Sequence, residues 1–153
     1  MLIEIPEELI LQINRHGEAA YPHECCGMLL GVREDESLKV RRVLPIDNSQ
    51  EENRRRRFLI TPAQYLEAER VAVAQGCELL GFYHSHPDHP AVPSAFDTAH
   101  ALPWFTYVIV SINGGRAENL SAWVLSADRE RFDEQTIAER TTITQSNMEK
   151  RWQ

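Results

Sequence analysis

The stretch Leu79-Leu80-Gly81-Phe82-Tyr83-His84-Ser85-His86-Pro87 contains the apolar run that decides the fold. Its short run of apolar and aromatic residues predicts a central strand, and Pro87 ends it because proline lacks the amide that a central strand donates. Side chains two residues apart in a strand point to the same side. We therefore expect His84 and His86 to converge on one point, with Ser85 facing away.

A carboxylate follows this strand. Asp97 lies eleven residues beyond His86, near the start of a helix predicted over Ser94–Leu102, and the proline-rich loop before that helix can bring it back over the strand end. Two imidazoles and one carboxylate, with a fourth position open to water, are the usual arrangement of catalytic zinc, whereas structural sites have four protein ligands. The spacing therefore predicts a catalytic zinc site at His84, His86 and Asp97.

Each part of this site also has a second interpretation. The two histidines can be hydrogen-bonded residues at the end of a strand, and Ser94 with Asp97 fits a helix capping box. Two other zinc motifs are excluded, because His23-Glu24 lacks the second histidine of the H-E-x-x-H helix and the deaminase pattern is absent. We interpret His89 and His100 as solvent-exposed positions. The alternative is that they contact the substrate or support a metal ligand through a hydrogen bond.

The remaining patterns indicate alternating helices and strands. Helices are predicted at 6–21 and 62–76, and strands at 26–32, 38–46, 106–112 and 119–126, which together indicate one mixed α/β domain. We predict that the domain spans residues 1–135, followed by a polar tail at 136–153 whose order is left open. The polar segment 47–57 includes Arg54–Arg57 and is predicted to be a surface loop, with docking of an acidic partner as the alternative.

Composition limits the classes of protein. The chain has 153 residues with 16 Lys and Arg against 23 Asp and Glu, a net charge of −7, which argues for one globular domain and against nucleic acid as partner. No apolar run approaches the length of a bilayer span or a signal peptide, so we expect a cytoplasmic protein that does not bind membranes. The adjacent Cys25 and Cys26, in a set of three cysteines, predict buried thiols rather than a disulfide framework.

The complete motif resembles that of the JAMM family, the metal-dependent branch of the MPN domains. His84-Ser85-His86, seven residues, Ser94, two residues and Asp97 match the pattern of the family, and the upstream segment 21–31 carries Glu24 in the place of the family's glutamate. The resemblance implies a single mixed, curved β-sheet flanked by helices, with cytidine-deaminase-like architecture. It also implies one zinc ion per chain on His84, His86 and Asp97, with Glu24 as general acid/base and Ser94 stabilising the tetrahedral intermediate.

The resemblance implies a substrate class as well. Members of the family are similar in cleaving peptide or isopeptide bonds after the C-terminal glycine of a ubiquitin-like protein. The short chain resembles the bacterial branch, which implies a sulfur carrier protein with a C-terminal Gly-Gly as the partner. Two alternatives stay open: a non-catalytic MPN-type scaffold and a peptidase of broad range. The oligomeric state is also left open, with a homodimer as one option.

Overall fold

Seven strands and three helices form the part of the chain that the computed structural model describes, residues 2–47 and 60–140. In chain order they are β1 Leu2–Pro6, α1 Glu7–Ala20, β2 Cys26–Glu34, β3 Ser37–Ile46, α2 Pro62–Ala74, β4 Glu78–Pro87, α3 Ala95–His100, β5 Thr106–Asn113, β6 Arg116–Leu125 and β7 Phe132–Arg140. None of these three helices is long and apolar enough to cross a membrane.

The strands form one closed barrel in the order β1-β3-β2-β4-β5-β6-β7. β4 lies inside the sheet, antiparallel to β2 and parallel to β5. β1 closes the barrel by pairing in parallel with both β3 and β7, so that Ile3 lies beside Leu38 and Ile137. The predicted mixed, curved sheet flanked by helices is confirmed, with a curvature large enough to bring the two edges of the sheet together.

Two apolar clusters cover opposite sides of β4. Tyr83 packs in the cluster that contains the buried α1 residues Leu9 and Ile13, whereas Phe82 packs in the cluster that contains the buried α2 residues. Because strand side chains alternate, His84 and His86 follow the side of Phe82, and Ser85 follows the side of Tyr83.

Gly81 lets β4 approach β5 closely. A Cβ atom at this position would lie 1.8 Å from the carbonyl oxygen of Thr106, a distance that real contacts do not show. Any side chain here would therefore push β4 and β5 apart just before the segment that carries His84 and His86.

Sequence patterns do not predict β1 and β7. β1 has only five residues, although the alternation of Ile3 and Ile5 is a weak strand signal. β7 is mostly polar, and its pairing with β1 and β6 comes from the barrel rather than from its own pattern.

The predicted boundary between residues 135 and 136 falls inside β7. Residues 141–153 and Arg54–Arg57 lie outside the described residues.

Candidate metal centre

Three side chains converge at the carboxyl end of β4. The Nε2 atoms of His84 and His86 are 3.1 Å apart, and each imidazole also contacts the carboxylate of Asp97, His84 Nε2 at 3.3 Å from Oδ1 and His86 Nε2 at 3.2 Å from Oδ2. One ligand atom from each residue lies within 4.8 Å of the other two. This set can hold a metal ion.

Both imidazoles present their Nε2 atoms to the cluster. His86 donates its Nδ1 proton to the carbonyl oxygen of Pro90 at 2.9 Å, which leaves the Nε2 lone pair directed at the cluster. His84 is 1% exposed, and this burial lowers its pKa although the nearby Asp97 acts in the opposite direction. Neutral imidazole is the form that binds metals.

Asp97 is both a capping residue and a member of the cluster. Its backbone amide donates to Ser94 Oγ at 3.1 Å, and its Oδ2 accepts the Ser94 amide at 2.8 Å, so the capping box is present. Burial opposes ionisation of Asp97, but its contacts with His84 and His86 and the hydrogen bond from the Ser94 amide outweigh it and hold its pKa well below the usual range. The capping and metal-ligand interpretations are therefore compatible, because the cap orients the carboxylate.

Ser94 lies at the exposed start of α3. Its hydroxyl oxygen accepts the Asp97 amide, so the hydroxyl proton is left to be donated elsewhere.

Glu24 comes to the site through the segment that enters β2. Its neighbour Cys25 donates its amide to Ser85 Oγ at 2.8 Å and accepts the Ser85 amide at 3.1 Å. Cys26 pairs with His84, and extending this antiparallel register by two residues sets Glu24 opposite His86. The side chain of Glu24 is buried, with 5% of its residue surface exposed.

Cys25 and Cys26 are buried free thiols, as the sequence predicts. Burial raises the pKa of Cys25 to about 11 and that of Cys26 to about 12, so both remain protonated at neutral pH. Neither belongs to the metal cluster. His89 and His100 are both exposed, and His100 stacks on Phe96.

Sequence reasoning missed the residues that anchor the loop between His86 and Ser94. The Asp88 amide donates to Ile112 O at 2.7 Å, Ser111 Oγ donates to His89 O at 2.7 Å, and Ser121 Oγ donates to Ala91 O. With the His86 bond to Pro90, four consecutive loop residues are each bonded to β4, β5 or β6. No local pattern marks Ser111 or Ser121, since each bonds to a residue at least twenty positions away.

Comparisons with known proteins give the family of the chain and several relatives. The family described as prokaryotic homologs of the JAB domain matches residues 6–126. The chain is 32% identical over 117 residues to a Thermus thermophilus protein named probable TtuB-protein conjugate cleaving protease, covering 76% of this chain and 75% of that protein. It is 34% identical over 107 residues to the desampylase of Haloferax volcanii, covering 69% of this chain and 75% of that one. A solution structure of a Desulfitobacterium hafniense protein has a TM-score of 0.79 at 29% identity, covering 92% and 94% of the two chains.

Proposed function

This chain belongs to the prokaryotic homologs of the JAB domain, as its resemblance to the JAMM family predicts, and from that membership we propose that it is a zinc-dependent protease and isopeptidase. Its substrate is a small ubiquitin-like protein, a sulfur carrier that ends in Gly-Gly, and the bond cleaved follows the terminal glycine. The names of two relatives, a conjugate cleaving protease and a desampylase, support this class. The observation that carries the proposal is the convergence of His84, His86 and Asp97. The buried Glu24 supports it, because the β2–β4 register, extended by two residues, sets Glu24 opposite His86.

The ligand set has the chemistry that zinc requires. Neutral imidazole nitrogens and an ionised carboxylate are the donors of catalytic zinc sites, and three of them leave a fourth position open. We assign one zinc ion per chain to His84, His86 and Asp97. Zinc bound there would lower the pKa of a water molecule to about 7 and polarise the carbonyl group of the substrate.

Glu24 and Ser94 supply the remaining chemistry. The Glu24 carboxylate takes the proton of the attacking water and delivers it to the nitrogen of the leaving amine, which then departs as a neutral group. The hydroxyl of Ser94, with its proton left to be donated, stabilises the negative oxygen of the tetrahedral intermediate. The burial of Glu24 keeps bulk water from competing for that proton.

Two variants separate the acid/base role from the ligand role. We expect Glu24→Gln to keep about one zinc per chain and to lower kcat at least about 100-fold on a carrier with an extended C-terminus, because general acid/base catalysis contributes roughly that much. His86→Ala is expected to lose both zinc and activity, because two remaining ligands hold catalytic zinc weakly. Elemental analysis and a cleavage assay measure both, and Glu36→Gln, an exposed turn residue, is the control.

Either of two results would contradict these assignments. Full turnover by Glu24→Gln removes its acid/base role, and stoichiometric zinc in His86→Ala removes that ligand. A wild-type chain that binds no added zinc would instead support the scaffold alternative.

A further inference from the structure

A cavity opens directly beside the metal centre. His84 and Asp97 form part of its wall, and the rest is mainly apolar or aromatic, formed by Ile60, Tyr65, Phe96, Ala101 and Tyr107, with His100 alongside. The empty space of about 350 Å³ includes open solvent, so the enclosed part of the cavity is small. The cavity therefore suits one side chain lying next to the reacting bond.

Most of the polar groups in this wall are already engaged. Tyr107 Oη accepts the Leu102 amide at 2.9 Å and lies 3.2 Å from Tyr65 Oη, and burial raises the pKa of both tyrosines, so both are neutral. His100 stacks on Phe96 and donates its Nδ1 proton to the Phe96 carbonyl. The carboxylate of Asp97 is occupied by both histidines and the Ser94 amide.

This lining favours an uncharged occupant. Aromatic walls offer dispersion and stacking to an apolar group. A charged side chain placed here would lose hydration without gaining a free partner of opposite charge.

The position of the cavity indicates which substrate residue fills it. In a substrate that ends in Gly-Gly, the residues before the cleaved bond have no side chain to place beside the metal centre. Resting on the proposed function, we propose that in peptide-bonded substrates this cavity binds the side chain of the residue directly after the cleaved glycine, and that it selects an aliphatic or aromatic side chain.

The test uses the full, zinc-loaded chain and a ubiquitin-like protein engineered to end in Gly-Gly-X, where X is Gly, Leu, Phe, Asp or Lys. We expect kcat/KM for Leu and Phe to exceed the values for Gly, Asp and Lys by about tenfold or more, the range of discrimination typical of a hydrophobic pocket. Mass spectrometry of the released residue measures the rates.

Variants then locate the selectivity. Phe96→Ala removes one wall, and Ala101→Leu fills the space, so each should reduce the ratio of Phe to Gly cleavage towards one. Two variants are used because Ala101 is buried and its replacement can impair folding. Leu66→Ala is the control, since Leu66 is 69% exposed on α2 and outside the lining, and its ratio should match the wild type.

The outcomes distinguish the two proposals. Cleavage at equal rates for every X, a preference for Asp or Lys, or a ratio that Phe96→Ala and Ala101→Leu leave unchanged would each overturn the cavity assignment while the proposed function stands. Failure to cleave any X by the zinc-loaded chain would overturn the proposed function, and the cavity assignment with it.

Discussion

Asp97 shows how one residue at the site combines stability and function. Its capping bonds with Ser94 hold the start of α3, and the same carboxylate contacts both histidines. An ionised carboxylate at the N-terminus of a helix is stabilised by the unpaired amides there, so the cap also favours the form that can bind metal.

His16 is a half-buried histidine outside the site. Its Nδ1 lies 2.7 Å from Tyr83 Oη, and burial lowers its pKa. The unfolded chain takes up a proton near the ordinary pKa of about 6.5, whereas folded His16 does so only at lower pH. His16 therefore makes the free energy of unfolding decrease as pH falls below about 6.5.

We expect the His16→Gln variant to lose less stability than the wild type between pH 7.5 and pH 5.5. Urea unfolding at both pH values measures this, with a chelator present so that proton competition with metal makes no contribution. An identical pH dependence in the two proteins would show that burial does not perturb His16.

At the scale of elements, the loop between β4 and α3 is held by strands on both sides. Ser121 on β6 links two groups, since its Oγ donates to Ala91 O and accepts the indole N–H of Trp123 at 2.7 Å. These bonds support the loop whose far end carries Asp97. We therefore expect Ser121 to support the metal centre proposed at His84, His86 and Asp97 through this loop, without belonging to the cluster.

Ser121→Ala should keep the fold and lower zinc affinity about tenfold or more, as is typical when a group supporting a metal ligand is removed. Competition with a chromophoric chelator measures the affinity, and circular dichroism checks the fold. Ser126→Ala is the matched control, because Ser126 follows the same strand but bonds to Asp128 and Arg131. Equal zinc affinity in Ser121→Ala and the wild type would rule out this support.

At the scale of the whole molecule, the barrel depends on β1, which lies between β3 and β7. Ile3 is fully buried there and packs in the same cluster as Tyr83 and the α1 residues. β1 and β7 lie at opposite ends of the described chain, so their pairing, which closes the barrel, joins residues far apart in sequence. Loss of β1 should therefore open the barrel.

We expect Ile3→Ala to lower the free energy of unfolding by about 2–5 kcal/mol, the cost of truncating a buried aliphatic side chain. Leu11→Ala, at a position that is 43% exposed on α1, should change it by less than about 1 kcal/mol. Chemical denaturation compares the two variants, and equal effects would show that closure by β1 contributes little.

Local spacing by itself determined much of this protein. The alternation of side chains in a strand set His84 and His86 on one side and Ser85 on the other, and the helical period set the Ser94–Asp97 cap, because both depend only on neighbours in the chain. The motif formed by these residues was also enough to identify the family.

Only the tertiary structure decided what depends on distant pairings. Cys25 bonds to Ser85, sixty residues away, and extending this pairing by one residue sets Glu24 opposite His86. The loop is held by Ser111 and Ser121 from strands that follow it. β7 is a strand because β1 and β6 supply its hydrogen-bonding partners. The local pattern cannot contain these contacts, since each forms only when the barrel brings together segments that are far apart along the chain.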